Sequence, residues 1–223
     1  MASGNAALVE IIVLSLRVTG TALLFSTLLG IPLGVLLGLK RFVARRLVIA
    51  LLYTGMGFPP VVAGLLVYIL LSRSGPLGRA GLSFVPSLFT PGAMVVAQTI
   101  IALPMVAGFT MAAVMSVDPG LRFQVESLGS TPWQTALTVL FEARMGVVTA
   151  VVAGFGSIIS EVGAVMMVGG NIEHSTRVLT TAIVLETNKG NFSLAIALGL
   201  VLLGLTFLAN VAMLRLQGKA LEQ

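Results

Sequence analysis

The sequence predicts an all-α membrane protein with five transmembrane helices, on three observations: scarce charge, long charge-free windows and the placing of the basic residues. Of 223 residues, 57% are hydrophobic and 9% charged, and mean hydropathy is +1.07. A soluble domain carries roughly 25% charged residues. So few charges cannot cover a water-facing surface, so most of this surface must face lipid or apolar protein. The 25 glycines and nine prolines fit the same class, because neighbouring membrane helices re-satisfy backbone groups that these residues free.

Five windows hold at most one charge: residues 18–39, 47–72, 93–117, 145–168 (only Glu161) and 191–214. A bilayer core about 30 Å thick needs about 20 helical residues, so each window is long enough to span once. Buried helices of a large soluble protein are the alternative. Five such windows in so short a chain leave no polar shell for one. Residues 6–16, apolar apart from Glu10, form either an interfacial helix or the outer extension of the first span.

Orientation follows from basic residues, which collect on the cytoplasmic side. Lys40, Arg41, Arg45 and Arg46 crowd the link between the first two windows. With that link inside, Arg122, Arg144, Arg215 and Lys219 also lie inside. Arg73, Arg79, Arg177 and Lys189 then lie outside, a ratio of eight to four. This places the N-terminus outside and the C-terminus in the cytoplasm of a multi-pass plasma-membrane protein. Residues 1–10 have no basic stretch of the kind that begins a signal peptide. Outside loops are expected at 72–92, with short broken turns around Gly75-Pro76, Pro86 and Pro91, and at 169–190, re-entering or packing over the helices. Residues 1–223 read as a single membrane domain.

The most informative polar segment is 118–144, on the cytoplasmic side. Asp118-Pro119-Gly120 reads as a helix start, and Ser130 or Thr131 is placed to cap a second helix with Pro132 at its first position. Two short helices broken at Gly129 are expected. They form either an amphipathic loop lying on the headgroups or a docking element for a soluble partner.

Residues 126–138, with Leu128, Gly129, Ser130, Pro132 and Trp133 in register, resemble the EAA loop of bacterial ABC importer permeases. Phe123, Gln124 and Val125 replace the usual Glu-Ala-Ala, and Glu142 stands near the usual Leu-Pro. Ser160-Glu161-Val162-Gly163-Ala164 and Gly169-Gly170-Asn171-Ile172 look like the matching segments of molybdate, sulfate and tungstate permeases. Residues 177–190 look most like the tungstate branch. The resemblance covers nearly the whole chain. It implies a type I, MetI-like permease that forms a homodimer, docks a cytoplasmic ATP-binding subunit and receives a tetrahedral oxyanion from an extracytoplasmic substrate-binding protein. Tungstate comes first, then molybdate or sulfate. It also implies that Glu126, Leu128, Gly129, Ser130, Pro132 and Trp133 form the coupling loop toward the ATPase.

Within the spans, weak neutral donors suit a transit path, because a tight site would trap the ion. Thr54, Gln98, Thr99, Ser157 and Ser160 are such donors, although each is more often a packing residue. Phe58 and Pro59 mark a helix break, since the paired prolines at 59 and 60 remove two backbone donors; a gate or pathway wall is expected there. Glu161 is the one acid inside a window. A carboxylate at mid-membrane costs roughly 2.5–3.5 kcal/mol on insertion scales, so it is expected to face the interior or a partner helix. It either lines the pathway or sets the gate, or it is a structural acid bonded to neighbouring helices or reaching water near the helix end. The second reading is favoured, since an anion path gains little from another negative charge.

No enzymatic chemistry is expected. No phosphate-binding G-x-x-x-x-G-K-[ST] loop exists for ATP, cysteine is absent, and His174 has no accompanying metal ligands. Neither a cofactor nor a metal is called for. The net charge of +5 punctuates apolar runs rather than forming a nucleic-acid-binding face. A stand-alone secondary transporter is the rival, but such carriers often hold several intramembrane ionisable groups, and this chain offers one.

Overall fold

The computed structural model describes residues 2–82 and 84–218, and Lys219 lies outside them. Eleven helices and no strands form among the described residues. The chain opens with α1 (Ala2–Leu39), 38 residues long, so residues 6–16 are the outer extension of the first span rather than a separate helix. At 1.5 Å per residue it is about 57 Å long.

The second window does not make one helix. It divides into α2 (Arg45–Met56) and α3 (Pro60–Leu71). Gly57 ends the first, and Pro59, with ψ 122°, turns the chain into the second, where Pro60 fills the first helical position. A missing N–H costs nothing there, because the first turn's donors have no helical acceptor. The expected outside segment holds a single turn, α4 (Pro76–Arg79), and Phe89 then anchors it by donating its N–H to the Val168 carbonyl at 2.8 Å. Helix α5 (Pro91–Met115) starts at Thr90, whose hydroxyl accepts from Ala93 N.

Two short helices follow, α6 (Pro119–Ser127) and α7 (Pro132–Glu142), then α8 (Arg144–Ile159) and α9 (Gly163–Gly169). The fourth window is therefore also divided, at residues 160–162. The segment expected as an outside loop carries a helix, α10 (Leu179–Asn188), whose first turn is buried. The last helix is α11 (Phe192–Gly218). Helices α10 and α11 meet through Leu179, Ala182 and Leu198, with Leu8, Ile11 and Ile12 of α1 packed beside them.

Four stretches are long and apolar enough to cross a membrane: Ala7–Leu39, Pro60–Arg79, Pro91–Met115 and Phe192–Met213. The pair α7 and α8, bent by 71°, supplies a fifth when taken as one broken span.

The central contact is α1 against α5. Gly30, Gly34 and Gly38 recur every four residues along one face of α1, letting the two backbones close together. A methyl group at Gly34 would stand 2.6 Å from the Ala107 carbonyl oxygen and 2.7 Å from Thr110 Cβ. Behind this face Leu37, Leu52, Ala107 and Met111 form one buried cluster. Another, toward the N-terminal half of α1, joins Val18, Val67, Met94, Ala164, Val165 and Val168. The outward faces of α1, α3 and α11 stay apolar and exposed, as at Leu28, Ile69 and Leu203. A lipid-facing surface requires this.

Candidate coupling surface and membrane pathway

Asp118 opens α6 by accepting the Gly120 N–H on its side chain at 2.9 Å, with Pro119 at the first helical position. At the other end Gly129 takes φ +82°, a left-handed conformation that glycine adopts without a Cβ penalty. Around it Gly129 N donates to Glu126 O (3.0 Å) and Ser130 N to Val125 O (3.4 Å). These two bonds make the Schellman closure that satisfies the last carbonyls of a helix. Thr131, not Ser130, caps α7. Its hydroxyl accepts from Gln134 N (3.3 Å) while Gln134 Oε1 accepts from Thr131 N (2.8 Å), a reciprocal capping box. The Ser130 hydroxyl instead pairs with Thr135 Oγ1 at 2.8 Å. The two helices are thus set by one glycine and one threonine.

This hairpin is tied to the membrane domain. Arg122 Nε pairs with Glu126 Oε1 at 2.9 Å, and Arg122 NH1 donates to the Leu39 carbonyl at 3.1 Å. Arg45 Nε reaches Leu37 O at 2.8 Å. Two guanidinium groups therefore satisfy carbonyls at the end of α1, where the helix dipole favours positive charge. Outward, the hairpin presents an uncovered apolar surface. Leu128 is 88% exposed, Trp133 71% and Phe123 67%.

The expected pathway residues are not gathered in one place. Thr54 is exposed on α2 and returns its hydroxyl to Ala50 O (2.8 Å). Phe58 is half-buried and Pro59 exposed, at the α2–α3 break. Thr99 bonds Val95 O through its hydroxyl, and its own carbonyl accepts from Ser26 Oγ (3.2 Å). Ser157 is half-buried, and Ser160 is exposed with its hydroxyl on Gly156 O.

Gln98 and Glu161 do belong to a common polar seam. Gln98 is 4% exposed. Its Nε2 donates to Ile158 O at 3.0 Å, while its Oε1 has no partner among the described residues. Glu161 sits in the break between α8 and α9, where its Oε1 accepts the Ala164 N–H (3.0 Å) and its carbonyl accepts from Thr180 Oγ1 (3.0 Å). The carboxylate thus serves a helix N-terminus, a position that favours negative charge. Ser15 Oγ accepts the Leu179 N–H at 2.8 Å, which brings α1 into the seam. The sequence reading missed Ser15, Thr176, Thr180 and Thr181, all buried. The signal was a threonine pair opening an apolar run, which marks a capped buried helix rather than a loop.

His174 Nδ1 lies 2.8 Å from Glu10 Oε2, joining loop 170–178 to the N-terminal part of α1. The hydrogen bond to Glu10, then the charge of that carboxylate, raise the imidazole pKa above 6.5. Glu186 is lowered, chiefly by its hydrogen bond from Lys189, and also accepts from Asn191 Nδ2.

A bundle of broken spans with a glycine-centred helical hairpin fits the membrane-component class of transport systems. The chain belongs to that class by descent: residues 30–220 match the family of binding-protein-dependent transport system inner membrane components. It is 47% identical over 208 residues to a probable anion ABC transporter permease protein of Haloferax volcanii, covering 91% of this chain and 88% of the relative. Identity is 40% to the tungstate uptake system permease TupB of Peptoclostridium acidaminophilum (93% and 89% covered) and 28% to the molybdenum transport permease ModB of Haemophilus influenzae (76% and 75%). Among solved structures, the inward-facing MetNI methionine ABC transporter superposes with TM-score 0.80 at 23% identity, over 97% of both chains. That likeness defines a MetI-like fold.

Proposed function

We propose that this chain is the permease subunit of an ATP-driven importer for a tetrahedral oxyanion, tungstate ahead of molybdate and sulfate. The observation that carries the reading is the hairpin of α6 and α7. A left-handed glycine and a capping box hold Leu128 and Trp133 outward with nothing covering them. Exposed aromatic anchors on a rigid element are what a protein partner engages, and the family supplies a cytoplasmic ATP-binding subunit as that partner. Relatedness at 47% to an anion permease and 40% to a tungstate permease supports the substrate class. Two copies of the chain form the pathway, an extracytoplasmic binding protein delivers the ion, and residues 118–144 form the cytoplasmic coupling loop. In this arrangement the N-terminus is outside and the C-terminus inside.

Proteoliposomes holding the permease and its ATPase subunit, supplied with the binding protein, test the reading. ATP-dependent uptake of tungstate, stronger than that of molybdate or sulfate, is expected. Uptake by the permease alone, driven by an ion gradient, would instead identify a secondary transporter.

A further inference from the structure

Beside the hairpin, α1 and α7 leave a cleft of about 770 Å³. Its walls are mostly apolar: Ile31, Val35 and Leu36 on one side, Leu137, Leu140 and the inner edge of the coupling residue Trp133 on the other. Leu36 is 43% exposed and Leu137 46%, so the cleft opens sideways from the protein rather than into the core. Along α1 the walls rise from Leu39 to Ile31, roughly 12 Å at 1.5 Å per residue, a length that fits within one leaflet of a bilayer whose core is about 30 Å thick.

The mouth of the cleft is basic. Lys40 and Arg122 line it, with Glu126 as the one acid. A neighbouring hollow of about 640 Å³ shares these three residues and adds Arg41. Arg122 is partly engaged, by Glu126 and by Leu39 O. Lys40 and Arg41 are exposed and make no side-chain hydrogen bond or ion pair among the described residues. An apolar slot one leaflet deep, ending at unpaired cations, is complementary to a molecule with an acyl chain and an anionic head.

We propose that this cleft is a binding site for an anionic phospholipid of the cytoplasmic leaflet, its acyl chain between α1 and α7 and its phosphate against Lys40 and Arg41. The location in that leaflet rests on the orientation proposed above; the binding itself does not. The site goes beyond transport, because an occupant would brace the coupling hairpin against α1. Charge complementarity selects an anionic lipid over a zwitterionic one, each basic residue near an anionic head being worth about fivefold in affinity.

The test uses the purified full-length chain, delipidated in detergent and offered dioleoyl phosphatidylglycerol or dioleoyl phosphatidylcholine, with bound lipid counted by native mass spectrometry. A preference for phosphatidylglycerol of roughly 25-fold is expected from two such residues, falling to near parity in the Lys40→Gln/Arg41→Gln variant. Leu36→Trp and, from the opposite wall, Leu137→Trp should each reduce retention of both lipids. Equal retention of the two lipids by the wild type would overturn the proposal, as would full retention in both tryptophan variants. So would release of lipid when the ATPase subunit is added, since that subunit would then own the cleft. Labelling of Phe42→Cys in sealed vesicles reads the orientation separately: labelling from outside would reverse the proposed topology without touching the binding result.

Discussion

Glu161 shows how one side chain meets two demands. Its carboxylate lies in an apolar span, where an unpartnered charge is expensive, yet it stands just before Val162, the N-cap of α9, and accepts the Ala164 N–H of the first turn. Glutamine keeps an acceptor oxygen at that place and alanine removes it. Glu161→Ala should therefore cost about 1 kcal/mol of stability, read as a lower melting temperature, while Glu161→Gln should cost less. Uptake by Glu161→Gln equal to wild type would show that the charge itself has no part in transport. His174 gives a pH-dependent counterpart in an exposed loop. Its pKa is raised in the folded chain, so the Glu10–His174 pair stabilises fully below pH 6.5 and is lost as pH rises through the raised value. The melting-temperature difference between wild type and His174→Gln should thus be larger at pH 6 than at pH 9; an equal difference at both would deny the pair any role.

The hairpin of α6 and α7 is the element most fully written in the sequence. Proline at each first helical position, Asp118 before one, Ser130 or Thr131 before the other and glycine between predict two helices and a break, and the structure gives both, with Thr131 as the second cap. Local chemistry sets such features, so a single sequence suffices. The divided windows were harder to read, because charge-free length says only that a segment tolerates lipid. At 59–60 the prolines announced the break. At 160–162 the break depends on Thr180 and on α10, which are distant in sequence. The pathway residues were legible as polar groups in apolar runs, yet which of them meet is decided by tertiary packing: Gln98 reaches a carbonyl 60 residues away. For the hairpin, Trp133→Ala should weaken docking of the ATPase subunit by 2 kcal/mol or more if the ring is an interface anchor, about a 30-fold loss in pull-down affinity. The monomer's melting temperature should hardly change, since the ring is 71% exposed.

For the whole molecule, the glycine face of α1 decides how closely the bundle closes. Its four-residue recurrence stood in the sequence at Gly30, Gly34 and Gly38, but only the α5 backbone opposite gives it meaning. Gly34→Leu should force the helices apart and prevent stable insertion, seen as loss of a monodisperse peak in detergent. Gly20→Leu, with open space around its Cβ position, is the matched control and should express normally. Helix α1 also has a mechanical property that its packing does not convey. It is held near both ends, by Arg122 at Leu39 and by His174 at Glu10. Between those grips lie 29 residue steps, about 44 Å of helix. Pro32 lies between them, where its ring removes one helical hydrogen bond, so the helix is a rod with one soft point. A displacement of the α6–α7 hairpin would be shared between bending at that point and movement of loop 170–178, and by reciprocity whatever engages that loop bears on the hairpin.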